Sequence, residues 1–261
     1  MHIAVCIKQV IDPEIPARAF RVDREQKRVV AGSASMVIGP FDLNALEVAM
    51  QLKERSGAKV TAITIGGEPA REALKRALAM GADAAVLVED VGRATDPASV
   101  ARILAAAVRK LGDVQIVLCG RQDGDWDFGQ VGGLLADQLQ WAYVPFVPRL
   151  AVEGGTIRLE REVDGGRVVL ETSGPVVASV TNASDNVARL PKVRDIMMAG
   201  RRPIASWSLA ELGLADLGPA RLELLDLFIP EVKRDCEYIE GESGAEKGVR
   251  LARRLAELKL L

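Results

Sequence analysis

Residues 114–139 read VQIVLCGRQDGDWDFGQVGGLLADQL, in which an apolar run is followed by a glycine-rich loop and then by a helical pattern. The apolar run is typical of a buried β-strand, and the loop from Gly120 to Gly133 holds five glycines in fourteen residues. The backbone N–H groups of such a loop and of the helix that follows it can face an anion. The segment therefore predicts a strand–loop–helix unit of a parallel sheet, with a candidate nucleotide-phosphate site in its loop.

The same alternation of strand and helix patterns runs through the first half of the chain. The other strand patterns begin at Ile3, Lys59, Ala84 and Ala142, and the helical patterns begin at Asp42, Glu68, Asp96 and Gly129. Asp96 and Pro97 predict a helix N-terminus, and the helix ends are predicted at Gly57, Gly81 and Gly112. Right-handed crossovers then predict a Rossmann-like, doubly wound parallel sheet with helices on both faces.

After about residue 148 the pattern changes. Partly alternating runs from Thr156 and from Arg167 flank the turn residues 164–166 and predict an antiparallel hairpin, and a further strand begins at Pro175. Residues 181–242 show little periodicity and predict an arm that wraps a partner, while an amphipathic helix begins at Ala245. We therefore expect an α/β domain with an antiparallel extension over 1–184, and a partner-recognition loop, extended arm and C-terminal helix over 185–261.

Composition excludes several function classes. The 34 basic residues are balanced by 36 acidic ones, so the chain lacks the positive footprint of a nucleic-acid binder. The three cysteines are far apart, which favours a reducing compartment and hence a cytoplasmic protein. The single histidine, His2, disfavours a catalytic triad or a histidine general base, so no catalytic side chain is predicted. No apolar run approaches the ~18 residues of a membrane span, and we expect a soluble, unprocessed protein.

Known loop motifs do not explain the glycine-rich segment. Neither G-x-G-x-x-G nor the P-loop pattern occurs in the sequence. Asp123, Asp125 and Asp127 alternate as in a calcium loop, but that motif needs glycine and glutamate where Phe128 and Leu134 stand. A metal site is therefore not predicted.

Two side chains of this loop have alternative interpretations. Arg121 can pair with a phosphate or with Asp125 in its own loop. Trp126 can lie over a ligand ring or cover the edge of the sheet, and covering the edge is the favoured interpretation for an aromatic residue in a loop.

Six segments in one order resemble the beta subunit of electron transfer flavoproteins. They are VCIKQVIDPE from Val5, GPFDLNALEVAMQLKE from Gly39, ALKRALAMGADAAVLVED from Ala73, the Gly120 loop, LEREVDGGRVVLETSGPVVASV from Leu159, and RLPKVRDIMMAGRRPI from Arg189. The resemblance covers nearly all of residues 3–205 and is weak beyond them. Its most specific parts are the ALAMGAD run and the Gly120 loop.

The resemblance implies a heterodimer whose alpha subunit carries the electron-transferring FAD, with AMP in the beta subunit. In electron-bifurcating members, which take hydride from NADH, a second FAD replaces the AMP. The implied nucleotide-binding residues here are Cys6, Gly39, Pro40, Phe41, Asp42, Ile65, Gly66, Gly120, Arg121, Gln122, Asp123, Gly124, Asp125, Trp126, Asp127, Phe128, Gly129, Gln130 and Val131.

The resemblance also implies a recognition loop at residues 189–202. Val193 stands at the anchor position of this loop, and Ile196 and Met197 are further partner-binding candidates. The implied partners are the alpha subunit, flavin dehydrogenases, and a quinone reductase or ferredoxin-type acceptor.

Two other classes share the general fold. A stand-alone nucleotide sensor of the universal-stress type would associate with itself and would not need the arm at 181–242. An adenylating enzyme would carry a serine- and glycine-rich loop after the first strand, where this sequence reads KQVIDPE from Lys8, so this class is ranked last.

Overall fold

A computed structural model describes residues 1–90, 92, 96–231 and 236–261. The helices in this part of the chain are α1 (Pro40–Ser56), α2 (Arg71–Met80), α3 (Pro97–Leu111), α4 (Val131–Leu139), α5 (Val193–Ala199) and α6 (Gly244–Glu257). The strands are β1 (His2–Cys6), β2 (Gln9–Ile11), β3 (Arg21–Asp23), β4 (Arg28–Val30), β5 (Met36–Ile38), β6 (Lys59–Gly66), β7 (Ala84–Glu89), β8 (Ile116–Gly120), β9 (Ala142–Val147), β10 (Arg149–Glu153), β11 (Thr156–Val163), β12 (Gly166–Thr172), β13 (Val176–Val180) and β14 (Ala205–Ser208).

The main sheet has the order β14-β7-β6-β1-β8-β13-β9, and neighbouring strands are parallel throughout. The predicted Rossmann-like fold class is therefore confirmed. The chain builds outward from β1 through β6 to β7, then crosses back through α3 to place β8 on the other side of β1. The strand order thus reverses between β1 and β8, which is where open parallel sheets bind their ligands.

Each face of the sheet carries its own apolar core. Leu46 of α1 and Leu74 of α2 are buried on one face, and Ile103 of α3 and Leu135 of α4 are buried on the other. The two faces together explain why the central strands read as continuous apolar runs. Both helical layers therefore hold the carboxyl ends of the strands in place from opposite sides.

The helix boundaries follow the signals in the sequence. Asp96 caps α3, because its Oδ1 accepts hydrogen bonds from Ala98 N at 2.9 Å and Ser99 N at 3.0 Å. Gly57 follows the last residue of α1 in the left-handed conformation, with φ of +67°. The predicted hairpin is also confirmed, since β11 and β12 pair antiparallel around the turn at residues 164–165, and β10 completes this three-stranded sheet.

The predicted arm is more structured than the sequence indicated. Residues 205–208 form β14, which adds a parallel strand to the edge of the main sheet beside β7. Asn186 is buried and its Nδ2 donates to Pro148 O at 3.0 Å and to Thr181 O at 2.8 Å. The expected boundary at 184/185 therefore falls inside a first compact unit, which spans Met1–Asp226.

Leu227–Leu261 form a second unit. It contains the predicted C-terminal helix as α6, which begins after Ser243, whose hydroxyl accepts a hydrogen bond from Glu246 N at 3.2 Å. Residues 232–235 of the predicted arm lie outside the described residues.

Candidate functional site

A cavity of about 1180 Å³ opens at the carboxyl edge of the main sheet. The ends of β1, β6 and β8 form its floor, and the Gly120 loop and the start of α3 form its walls. The predicted nucleotide-binding residues that line it are Cys6, Asp42, Ile65, Gly66, Gly120, Arg121, Gln122, Asp123, Asp125, Trp126, Phe128, Gly129, Gln130 and Val131. The other predicted nucleotide-binding residues, which do not line the cavity, are Gly39, Pro40, Phe41, Gly124 and Asp127.

Asp42 joins three elements at the floor of the cavity. It lies in the first turn of α1, and its carboxylate accepts hydrogen bonds from Lys8 N at 2.8 Å and from Gly120 N at 3.0 Å. A Cβ on Gly120 would lie 2.6 Å from Asp42 Oδ1, so only glycine fits there. Burial raises the pKa of Asp42 to about 7, although the two backbone donors act in the opposite direction. The oxygens of Asp42 are thus occupied by the protein itself.

Lys8 fixes the position of the Gly120 loop. Its Nζ lies 2.9 Å from Asp123 Oδ2 and 2.6 Å from Asp125 Oδ1. Burial acts to lower the pKa of Lys8, but the hydrogen bonds to these two carboxylates outweigh it and raise that pKa. Lys8 thus offsets one of the two negative charges of Asp123 and Asp125, which leaves this wall less repulsive to an anion.

Arg121 is a cation of the cavity with unused hydrogen-bonding capacity. Its guanidinium lies over the Phe41 ring, 4.3 Å from the centroid, and Nη1 donates to Thr181 Oγ1 at 3.3 Å. Its Nε is buried and has no acceptor among the described residues. Pairing of Arg121 with Asp125 is not observed, because Asp125 is bound by Lys8.

The N-terminus of α4 is the second group suited to an anion. No side chain of the described chain caps it, whereas Asp96 caps the neighbouring α3. The first-turn N–H groups of α4 therefore remain available at the edge of the cavity. Gly132 and Gly133 allow this turn to lie on the Tyr143 ring, since a Cβ on Gly132 would be 3.1 Å from Tyr143 Cε2.

Trp126 packs on another aromatic residue of its own loop. Its ring is stacked on Phe128, with centroids 6.1 Å apart and planes inclined by 8°, and both residues line the cavity. The loop turns through left-handed conformations at Asp127 and Gly129, which places the two rings together. About 40% of each residue is exposed, so the pair offers a flat apolar surface to a ligand.

A profile of the electron transfer flavoprotein domain matches residues 27–212. The chain belongs to the electron transfer flavoprotein family. Protein FixA of Azorhizobium caulinodans is 35% identical over 230 residues, covering 85% of this chain and 80% of that protein. Electron transfer flavoprotein subunit beta of Thermoanaerobacterium thermosaccharolyticum is 38% identical over 200 residues, covering 76% and 75%. The caffeyl-CoA reductase-Etf complex subunit CarD of Acetobacterium woodii is 31% identical over 267 residues, covering both chains fully.

The predicted resemblance to electron transfer flavoprotein beta subunits is thus confirmed, and with it a role in electron transfer. Membership as a beta subunit implies an electron transfer flavoprotein alpha subunit as partner, and the family is one that binds flavin. Among the described residues, no helix has both the length and the apolar character that crossing a membrane requires.

The segment predicted to recognise a partner is exposed and is held at both ends. Leu190 and Val193 are 84% and 76% exposed, and Ile196 and Met197 of α5 are exposed beside them. Arg189 precedes this apolar group, and its Nε donates to the buried Glu47 at 2.9 Å. After α5, Arg202 donates to the carbonyl oxygens of Ala82 and Asp83. Leu190, which lies in the same RLPKV motif, was not among the predicted partner-binding residues.

Other lining residues were also missed. Sequence reasoning omitted Ile7, Lys8, Asp90, Gly92, Asp96, Pro97, Val100, Leu104, Cys119, Ala220, Leu222, Glu223 and Leu224 from the site. The start of α3 could have been found, since it follows the carboxyl end of β7 as the other walls follow their strands. Residues 220–224 have no local sequence pattern that would predict a place in the cavity wall.

The cavity also contains two thiols. Cys6 and Cys119 end adjacent strands and are buried. Burial raises the pKa of Cys119 to about 12 and raises that of Cys6 as well. Both therefore remain protonated and unreactive, and serve as part of the apolar floor.

Proposed function

We propose that this beta subunit binds an adenine nucleotide in the cavity and works as half of a heterodimer whose alpha subunit carries the electron-transferring flavin. The observation that supports it best is the pair of anion-binding groups at one wall. The guanidinium of Arg121, a residue that lines the cavity, and the uncapped N-terminus of α4 both suit a phosphate, and most of the lining surface is apolar.

The residues around the donors have supporting roles. Asp42 holds the ends of β1 and β8 against α1, so the floor keeps its shape. Lys8 holds the loop that carries Arg121 through Asp123 and Asp125. Phe41 supports the guanidinium from below, which directs its free edge. These contacts would orient the nucleotide and exclude water from its phosphates.

A second candidate, FAD in place of AMP, is favoured by the size of the cavity. Its volume of about 1180 Å³ exceeds the ~300–1,000 Å³ of most small-ligand sites. The stacked Trp126 and Phe128 and the apolar residues Leu222 and Leu224 extend the walls beyond what one mononucleotide requires. When bound, such a flavin would accept hydride from NADH and pass its two electrons to different acceptors, as in electron-bifurcating members.

The proposal includes the electron partners. Flavin dehydrogenases would reduce or oxidise the heterodimer through the segment that carries Leu190 and Val193, and a quinone reductase or ferredoxin-type protein would be the other partner. We also propose a cytoplasmic location.

The anion site is tested by replacing Arg121. Nucleotide-free heterodimer carrying Arg121→Met, which keeps a stem over Phe41, should bind both AMP and FAD about 10- to 100-fold more weakly, because a charge-assisted hydrogen bond contributes ~1.5–3 kcal/mol. Arg158→Met, which replaces an exposed arginine of β11 outside the cavity, is the control and should bind as the unchanged protein does.

Equal affinity of the Arg121→Met and unchanged heterodimers for both nucleotides would contradict a phosphate at Arg121. Tighter binding of FAD than of AMP by the unchanged heterodimer would support the second candidate. The opposite order would support the simple carrier.

A further inference from the structure

Residues 217–226, called the strap here, close one side of the cavity. Ala220, Leu222, Glu223 and Leu224 of the strap line the cavity. The strap contains no helix or strand, and after Leu217 all of its residues are exposed. Leu217 itself is buried in the core on the α3 face. The strap is thus anchored at its start and carries its cavity-lining residues on an irregular, exposed segment.

Polar contacts hold the first half of the strap to α3. Arg102 Nη1 of α3 donates to Leu217 O at 2.8 Å. Arg221 N donates to Asp96 Oδ2 at 3.2 Å, so the carboxylate that caps α3 also holds the strap. Between these contacts Gly218 has φ of +68°, a conformation that glycine adopts without strain.

The far end of the strap is held by the hairpin of β3 and β4. Arg24 lies in the turn of this hairpin and contacts Asp226 through two hydrogen bonds, Nη2 to Oδ2 at 2.6 Å and Nε to Oδ1 at 3.3 Å. Lys27 Nζ donates to Leu224 O at 2.8 Å. We call the Arg24–Asp226 pair the latch.

The latch contributes little to stability, and a ligand in the cavity would stabilise the closed strap. The side chains of Arg24 and Asp226 are 66% and 46% exposed, and solvent-exposed ion pairs contribute little to stability. Segments with few buried contacts open far below the free energy of global unfolding. Leu222 and Leu224 are 49% and 36% exposed although they line the cavity, and an occupant would cover more of their apolar surface.

We propose that the strap is a gate of the cavity: the part after Arg221 moves away when the latch and the Lys27–Leu224 hydrogen bond break, and a bound nucleotide leaves by this route. The inference rests on the proposed function, because it needs a nucleotide in the cavity. It predicts that a substitution in the latch changes the rate at which the nucleotide dissociates from the cavity. The described residues that would hold the phosphates should be unaffected by such a substitution.

The test measures dissociation from the intact heterodimer loaded separately with labelled AMP and with FAD, after addition of excess unlabelled nucleotide. Arg24→Glu should raise the dissociation rate about three- to tenfold, since it replaces attraction at the latch with repulsion. The charge-exchanged double variant Arg24→Glu/Asp226→Arg should return the rate to within about twofold of the unchanged protein. Arg28→Glu, on the same hairpin but outside the latch, is the matched control.

Amide hydrogen exchange of residues 218–226 provides a second readout that does not depend on the nucleotide's affinity. Exchange there should be faster in Arg24→Glu and slower when nucleotide is bound. A uniform rise in exchange across the core would instead show general destabilisation and would overturn the proposal.

The outcomes separate the two proposals. If neither AMP nor FAD binds the unchanged heterodimer, the proposed function fails and the gate fails with it. If either binds but Arg24→Glu leaves its dissociation rate unchanged, if Arg28→Glu accelerates it equally, or if the double variant stays fast, the gate is overturned and the nucleotide site stands.

Discussion

Asp42 combines burial, charge and two backbone contacts in one side chain. Its two oxygens satisfy the N–H groups of Lys8 and Gly120, which would otherwise be buried without partners. Asparagine has one carbonyl oxygen, so in Asp42→Asn one of these N–H groups would face an NH₂ group. We expect the free energy of unfolding to fall by about 1–3 kcal/mol, measured by urea denaturation at pH 4, where Asp42 of the folded chain is protonated and both side chains are uncharged.

The difference in free energy of unfolding between the unchanged protein and Asp42→Asn should depend on pH with a defined sign. The pKa of Asp42 is about 7 in the folded chain and ~3.9 in an unfolded one, so the folded state retains the proton over this interval. The contribution of Asp42 to stability is therefore fully present below about pH 4 and is lost as the pH rises through 7, by up to about 1.4 kcal/mol per unit.

Urea denaturation from pH 4 to pH 8 checks this sign. The stability of the unchanged protein should fall relative to Asp42→Asn over the interval and level off above it. Parallel stability profiles of the unchanged protein and Asp42→Asn would contradict this sign. Asp164→Asn, in an exposed hairpin turn, is the control, and its stability should vary with pH as that of the unchanged protein does.

At the scale of elements, the start of α4 depends on the space above Tyr143. A Cβ at Gly132 would lie 3.0 Å from Cys119 Sγ and 3.1 Å from Tyr143 Cε2, so Gly132→Val must displace the first turn of the helix. We expect a loss of about 1–3 kcal/mol in stability and at least about tenfold weaker nucleotide binding, because the N–H groups move with that turn.

Gly133→Ala is the control for this element. Its Cβ would lie 3.4 Å from Tyr143 Cε1, which the ring can accommodate with a small shift. Equilibrium binding of AMP and FAD to both variants makes the comparison. Unchanged binding by Gly132→Val would remove the start of α4 from the site.

Most elements could be predicted from the sequence because their signals are local. Apolar periodicity, the Asp96 cap and the glycines after helices lie within a few residues of what they determine. β14 was missed because ASWS at residues 205–208 has little strand pattern of its own, and its pairing with β7 spans more than a hundred residues. The strands β2–β5 have three residues each, which is too few to show an alternating pattern in the sequence.

The site was predictable only in part, for a related physical reason. The glycines of the Gly120 loop are close together in the sequence, so a loop with accessible backbone N–H groups could be predicted there. The cation that holds this loop, Lys8, is 115 residues from Asp123 in sequence, and no local pattern connects them. The strap is similarly remote from the strands whose cavity it lines.

At the scale of the whole molecule, the exposed apolar segment before and within α5 is where we expect a partner protein. Val193→Asp should lower the apparent affinity for a partner flavin dehydrogenase about tenfold, since it places a charge in a surface that would be buried. The fold should be unaffected, because Val193 is 76% exposed. Steady-state reduction of the heterodimer by the dehydrogenase measures the effect.

Val168→Asp, at an exposed valine of β12 remote in sequence from that segment, is the control for this surface. It should leave the rate of reduction unchanged. Failure of Val193→Asp to assemble with the alpha subunit would mean that the segment serves assembly and does not serve docking of the dehydrogenase.

The most direct test of the nucleotide site is the cofactor content of the native heterodimer. The purified complex is denatured, and the released flavin and AMP are separated and counted per heterodimer. We predict one adenine nucleotide beyond the flavin of the alpha subunit, as AMP or as a second FAD. A single flavin with no further adenine nucleotide would contradict the account.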